Sequence, residues 1–256
     1  MTDAATLFCR RASVLLVQAL PRCALALLVM IAGSVALAQD QRADRGGTIT
    51  GRVLYVGERL DPEPLKVERD RAFCGDTIPD ESLLVDGSSR GVAATVISLD
   101  GVATEKSGAP EQRLLLENRG CRFLPRVNAV PAGTMLVISN TDPVMHNTHI
   151  RKKSRFGDNL VNVVQPHQAK VEKTLPDSGF LDVRCDAHPF MHASIHVFPH
   201  PYFAVTDSTG RFELSHVPPG KYKLRMWHET LGKQEQVVAV PDKGSVTIKF
   251  EVGPGN

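Results

Sequence analysis

Aromatic residues are scarce in this sequence: 5% of 256 residues, with a single Trp and three Tyr. Net charge is nearly absent too, with 30 Lys and Arg against 28 Asp and Glu. No basic block interrupts that balance, so nothing favours a nucleic-acid partner. Past residue 38 there is no long hydrophobic run and no convincing amphipathic helix. Catalytic signatures are missing as well. There is no Ser-His-Asp set, paired-carboxylate motif or phosphate loop. The His-x-His pairs and cysteine-flanking histidines of a trinuclear copper cluster are absent, since Arg184 and Asp186 flank Cys185. The expectation is a protein that is not an enzyme.

Cysteine is sparse but informative. Arg10, Arg11 and Arg22 precede the apolar run "CALALLVMIAGSVALA", which ends in Ala36-Leu37-Ala38 before a polar stretch. A basic region, a short apolar core and a small-residue end describe a secretory signal peptide over 1–38. The run is shorter than the roughly 20 residues of a membrane span. The expectation is cleavage after Ala38, a periplasmic or secreted location, and no membrane span thereafter. Of five cysteines, Cys9 and Cys23 leave with the signal, while Cys74, Cys121 and Cys185 stay. An odd number in an oxidising compartment suggests one disulfide and one thiol with another task. Cys74 and Cys121 lack a neighbouring His or Cys, so a disulfide between them is better supported than a metal site.

What the chain does have is short β-rich runs, among them "TITGRVLYV", "TMLVISN", "GFLDVRC", "ASIHVF", "RFELSHV" and "SVTIKFEV". Turn residues separate them closely, as in Asp207-Ser-Thr-Gly210 and Pro218-Pro-Gly220. Many short strands so punctuated mean an all-β sandwich or barrel. The stretch around Cys74 reads as a long surface loop that this cysteine pins, and "SGAP" near 107–110 as a linker. Phe212, Tyr222 and Trp227 are expected in the core of a sandwich. "GTITGRVLYVGERLDPEPL", "GVAATVISLDG" and "YFAVTDSTGRFELSHVPPGKYKLRMWHE" together resemble the carboxypeptidase-regulatory or transthyretin-like (prealbumin-like) sandwich. That resemblance implies a discontinuous domain, 47–105 with 200–256, around an inserted domain at 108–199. Consecutive sandwiches are the alternative.

The inserted segment carries the chemistry. In "CDAHPFMH", Cys185, His188 and Met191 put thiol, imidazole and thioether on one short loop, stiffened by Pro189. Upstream, "VPAGTMLVISNTDPVMHN" leads a strand to His146. An ion that alternates between Cu(I) and Cu(II) needs soft sulfur and imidazole together, and two His, one Cys and a weak axial Met form the blue-copper set. Phe123-Leu-Pro125, Ala132-Gly-Thr134, Asn140-x-Asp142, His146-Asn147 and the Cys185 loop are similar to the cupredoxins, amicyanins especially. The resemblance implies a Greek-key β-sandwich and one type 1 copper bound by His146, Cys185, His188 and Met191. It implies that Asn147 ties the ligand loops together by hydrogen bonds. One-electron transfer to an unidentified redox partner protein would follow, with His188 near the surface as the exit.

His192 stands where Arg or Lys is ordinary in that family, and His149 and Met145 crowd the first ligand. These departures keep two alternatives open: a periplasmic copper-binding or delivery protein, and a structural or carbohydrate-contacting sandwich with a vestigial copper site. His149, His192, His196 and His200 are expected at the surface or as strand caps.

Overall fold

Alternation of buried and half-buried residues along Gly47–Tyr55 builds the first strand, β1, with Ile49, Val53 and Tyr55 turned inward. Gly51 shares that inner face because nothing larger fits. A Cβ there would lie 2.4 Å from both the Ile248 carbonyl oxygen and the Phe212 ring. The computed structural model describes residues 46–58, 60–102, 112–153, 157–176 and 178–254. The signal-peptide and linker expectations lie outside the described residues.

After β1 the chain makes an excursion, with β2 (Leu65–Lys66), the four-residue helix α1 (Arg71–Cys74) and β3 (Thr77–Ile78). It rejoins a sheet at β4 (Val96–Asp100). Next come β5 (Arg113–Asn118), β6 (Phe123–Leu124), β7 (Val127–Pro131), β8 (Met135–Asn140) and β9 (His146–Lys152). They are followed by β10 (Asn159–Gln165), β11 (Lys170–Thr174), β12 (Gly179–Arg184) and β13 (His192–Phe198). The last strands are β14 (Phe203–Val205), β15 (Arg211–Val217), β16 (Gly220–His228), β17 (Gly232–Val240) and β18 (Ser245–Val252). The protein is all-β, and α1 is the single helix among the described residues.

The four larger sheets run β15-β1-β18, β14-β4-β16-β17, β10-β9-β12-β13-β7 and β11-β8-β5-β6, while β2 and β3 pair alone. Inward residues of the first two sheets form one apolar cluster, including Ile49, Leu99, Leu224 and Phe250. Those of the other two form a second, including Leu116, Ile138, Ile150, Leu181 and Ile195. The first cluster draws on strands at both ends of the described chain, and the second only on its middle. Two parallel pairings close these layers, β5 with β8 and β7 with β13, and a third joins β1 to β18. Strand β10 is antiparallel to β9 from Gln165↔His146 to Asn159↔Arg151.

Trp227 departs from the expectation of a core residue. On β16, Leu224, Met226 and His228 alternate inward, so the odd-numbered Trp227 faces the other side. There its ring meets His196 of β13 at 4.3 Å and Phe180 of β12 at 5.3 Å between centroids, which joins the two layered bodies. Phe212 is buried as expected, and Tyr222 packs half-buried against the first cluster.

Candidate metal centre

The site forms where two loops meet at one end of the five-stranded sheet. The first begins at Asn140, the last residue of β8. Its side-chain amide donates to the carbonyls of Val144 and Gln165, both at 2.9 Å, and its carbonyl accepts the Asp142 N–H at 3.0 Å. This closes a tight turn and starts β9 at His146. The second loop leaves β12 at Arg184 and enters β13 at His192. Within it the Met191 N–H donates to the His188 carbonyl at 2.9 Å, and the Cys185 N–H to the Met191 carbonyl at 3.4 Å. Three side chains converge, His146, Cys185 and His188, and they and Met191 at the end of the second loop are almost without solvent contact.

The donor atoms face one another in a specific way. His146 Nδ1 lies 3.1 Å from His188 Nδ1, and Cys185 Sγ lies 3.6 Å from His188 Nδ1. All three donors fall within 4.8 Å of one another. The far ring nitrogens are committed elsewhere: His146 Nε2 to Asp142 Oδ2 and His188 Nε2 to Asp70 Oδ2, each at 2.9 Å. A carboxylate accepts and cannot donate, so it fixes an N–H at each Nε2 and leaves a lone pair on each Nδ1. Two lone pairs and a thiol sulfur then point into one dry space. Burial drives the His146 pKa below its ordinary value despite the opposing bond to Asp142, and the neighbouring His188 adds to the lowering. A neutral imidazole is the form that ligates.

This arrangement fits a single soft or borderline ion. With nitrogen ligands at about 2.0 Å and thiolate at about 2.3 Å from the metal, donor atoms in a trigonal set stand roughly 3–4 Å apart. Asn147 braces the set from behind. Its backbone N–H donates to Cys185 Sγ at 3.3 Å, and its side-chain carbonyl accepts the Asp186 N–H at 3.2 Å. Its amide group donates to Asn162 Oδ1 at 2.8 Å and to the Val163 carbonyl at 3.2 Å.

Cys121, Asp142 and His146 also cluster. Cys121, however, is bonded to Cys74 across a Cα–Cα distance of 5.7 Å and has no thiolate to offer. Among the described residues Cys185 is the free cysteine. Asp142 is instead a brace: it accepts the Gly120 N–H at 2.6 Å, the Cys121 N–H at 2.8 Å and the bond from His146.

One expectation from the resemblance is corrected. His188 is not open to solvent but fully buried beneath a partly exposed Asp70. The excursion between β1 and β4 folds over it and places Asp70 on its outward edge. The spacing within "CDAHPFMH" could not reveal this, because the covering residue stands 118 positions upstream. Asp142 had a local signal, four residues before His146, whereas Asp70 had none.

The other histidines are also more buried than expected, and His149 and His192 are occupied by polar partners. His149 faces Asp186 through Nδ1 and Asn159 through Nε2. His192 bridges Asp182 at 2.9 Å and Glu229 at 3.3 Å, and Arg126 grips Glu229 with two bonds of 2.7 and 2.8 Å. His196 is buried between Phe180 and Trp227, and burial lowers its pKa to about 4. Met145 is 56% exposed.

No protein-family profile matches this sequence, and no curated relative does. Solved structures do show likeness over part of the chain. A copper(I) amicyanin mutant is 18% identical over 33% of this chain and 81% of its own, with a TM-score of 0.31. A second Cu(I) amicyanin mutant is 19% identical over 41% of this chain and 98% of its own, with a TM-score of 0.30. The copper-containing nitrite reductase of Thermus scotoductus SA-01 is 20% identical over 38% of this chain and 24% of its own, with a TM-score of 0.30.

Proposed function

We propose that this chain is an exported copper protein that carries single electrons. In this reading His146, Cys185 and His188 are the strong ligands of one type 1 copper and Met191 the weak axial one. The observation that carries it is the pair of Nδ1 lone pairs converging with a free thiol sulfur, while carboxylates hold both Nε2 atoms. Bound copper would supply a centre that gains and loses one electron. The chain's own residues would do the rest. Asp142 and Asp70 hold protons at Nε2 so that Nδ1 stays free. The Asn147 N–H draws charge from the Cys185 sulfur, a contact of the kind that tunes potential. Tight packing around Met191 and Phe190 keeps water out and limits rearrangement when the charge changes.

A resident ion is favoured over a delivered cargo. His149 and His192, which an exchange route would use, are committed to Asp186, Asp182 and Glu229. No enzymatic step is assigned, and the partner would be another redox protein. Export rests on the signal-like first 38 residues. No helix among the described residues is long and apolar enough to cross a membrane. The two apolar clusters support a discontinuous outer sandwich around the copper-binding layers.

Visible and EPR spectra of the copper-loaded protein test this reading. The expected result is intense blue absorption with a small copper hyperfine splitting, lost and regained on reduction and reoxidation. A pale protein with an ordinary tetragonal Cu(II) spectrum would overturn it. So would equal copper loss from His192→Ala and His188→Ala, which would indicate a His-rich delivery site.

A further inference from the structure

Asp70 is out of place unless its carboxylate is used. It adopts φ 56° and ψ 32°, a left-handed conformation that Gly accepts most readily and Asp or Asn tolerate. It occupies the N-cap of α1, where an Asp side chain ordinarily accepts a bond from the helix's own first turn. Here it makes no such bond. Its backbone carbonyl alone receives the Phe73 and Cys74 N–H groups, at 3.0 and 2.9 Å, and its carboxylate reaches His188 Nε2. Cap stabilisation has been given up for a contact with a ligand histidine.

The surroundings hold this contact in place. The β2–β3 pair closes the base of the segment, and Arg71 pairs with Asp76 across the turn. Val67 and Ile78 line its underside against Cys121, with Phe190 of the ligand loop packed alongside. Four residues past Asp70, Cys74 is joined to Cys121, whose N–H binds Asp142, the brace of the other histidine. The disulfide therefore ties the segment that carries Asp70 to Cys121, whose N–H holds Asp142.

We infer that Asp70 is a positioning residue of the metal centre, and that residues 65–78 are a cap latched over His188 by the Cys74–Cys121 bond. The inference rests on the copper reading above and adds to it the closure of the histidine edge. Asp70 fixes the proton on Nε2, aims Nδ1 at the other donors and keeps solvent from the ring.

Asp70→Ala and Asp70→Asn in the full chain test this. Asn suits the same backbone conformation and keeps an acceptor oxygen, so it guards against a variant that merely misfolds. In the apoprotein, 15N NMR of the histidines should show wild-type His188 protonated at Nε2. Asp70→Ala should give a mixture of tautomers, with Asp70→Asn close to wild type. Cupric-ion affinity, measured against a competing chelator, should fall about 10–100-fold in Asp70→Ala and less in Asp70→Asn. Unchanged tautomer and affinity in Asp70→Ala would overturn the inference while leaving the copper reading intact. A tautomer change in a protein that binds no copper would sink the copper reading and uphold the role of Asp70.

Discussion

Replacing Cys74 and Cys121 together by Ala removes the latch without leaving hydroxyls in a buried place. The bond closes a loop across a sequence separation of 47 residues. Cross-linking that loop removes unfolded-state entropy equivalent to about 4 kcal/mol at 25 °C. For a protein of this size each kcal/mol moves the thermal midpoint by roughly 2–4 °C, so the midpoint should fall by about 8–16 °C. Urea denaturation followed by far-UV circular dichroism would measure the loss. Amide exchange would locate it: the Phe73 and residue-74 N–H groups, bonded to the Asp70 carbonyl, should exchange much faster. Core amides such as Ile150 and Leu181 should change only with global stability. A loss under about 1 kcal/mol, with exchange in the cap unchanged, would refute the reasoning. It would mean that the small patch of Val67, Ile78 and Phe190 holds the segment without the bond.

Other outcomes follow from the site and its neighbours. Cys185→Ser exchanges a soft thiolate for a hard hydroxyl, so any remaining Cu(II) should give a tetragonal EPR signal without blue colour; surviving colour would exclude Cys185 as the ligand. Met191→Leu should keep the colour and raise the reduction potential, because the oxidised ion loses a donor and the site becomes drier; a lower potential in voltammetry would count against an axial Met. Glu229 gives a pH dependence. Burial pushes its carboxyl up, but bonds from His192 and Arg126 prevail and bring it from 4.5 to about 2. A depressed acid contributes its full stability above pH 4.5 and loses it as pH falls towards 2, about 3 kcal/mol here. Between pH 5 and pH 2, Glu229→Gln should therefore show a flatter stability curve than wild type; parallel curves would remove Glu229 as the source.

The all-β character was legible because alternation is local: each strand shows its buried and exposed faces within a few residues. The Cys74–Cys121 bond was legible by counting once the N-terminal cysteines were set aside. His146, Cys185, His188 and Met191 could be singled out because three share one loop and the fourth starts a strand after a marked turn. The cap was not legible, since Asp70 and His188 meet only through the tertiary path of the excursion and no periodicity announces that path. Trp227 was misplaced for a different reason. Its size suggested a core position, but strand parity set by Leu224 and Met226 turned it towards His196.

The parallel pairing of β1 with β18 bears on the order of folding. Thr48 meets Ser245 and Tyr55 meets Val252, so the three-stranded sheet joins residues nearly 200 positions apart. The layers around the metal centre use only residues between β5 and β13 and can assemble before that long closure is made. Contacts of such separation form slowly, which makes docking of β18 a natural last step. Until it happens, β1 has β15 on one side and an open edge on the other, a nine-residue row of backbone groups ready to pair with another chain. The period of greatest aggregation risk for this protein therefore falls after the residues of the candidate metal centre have come together and before its final strand arrives.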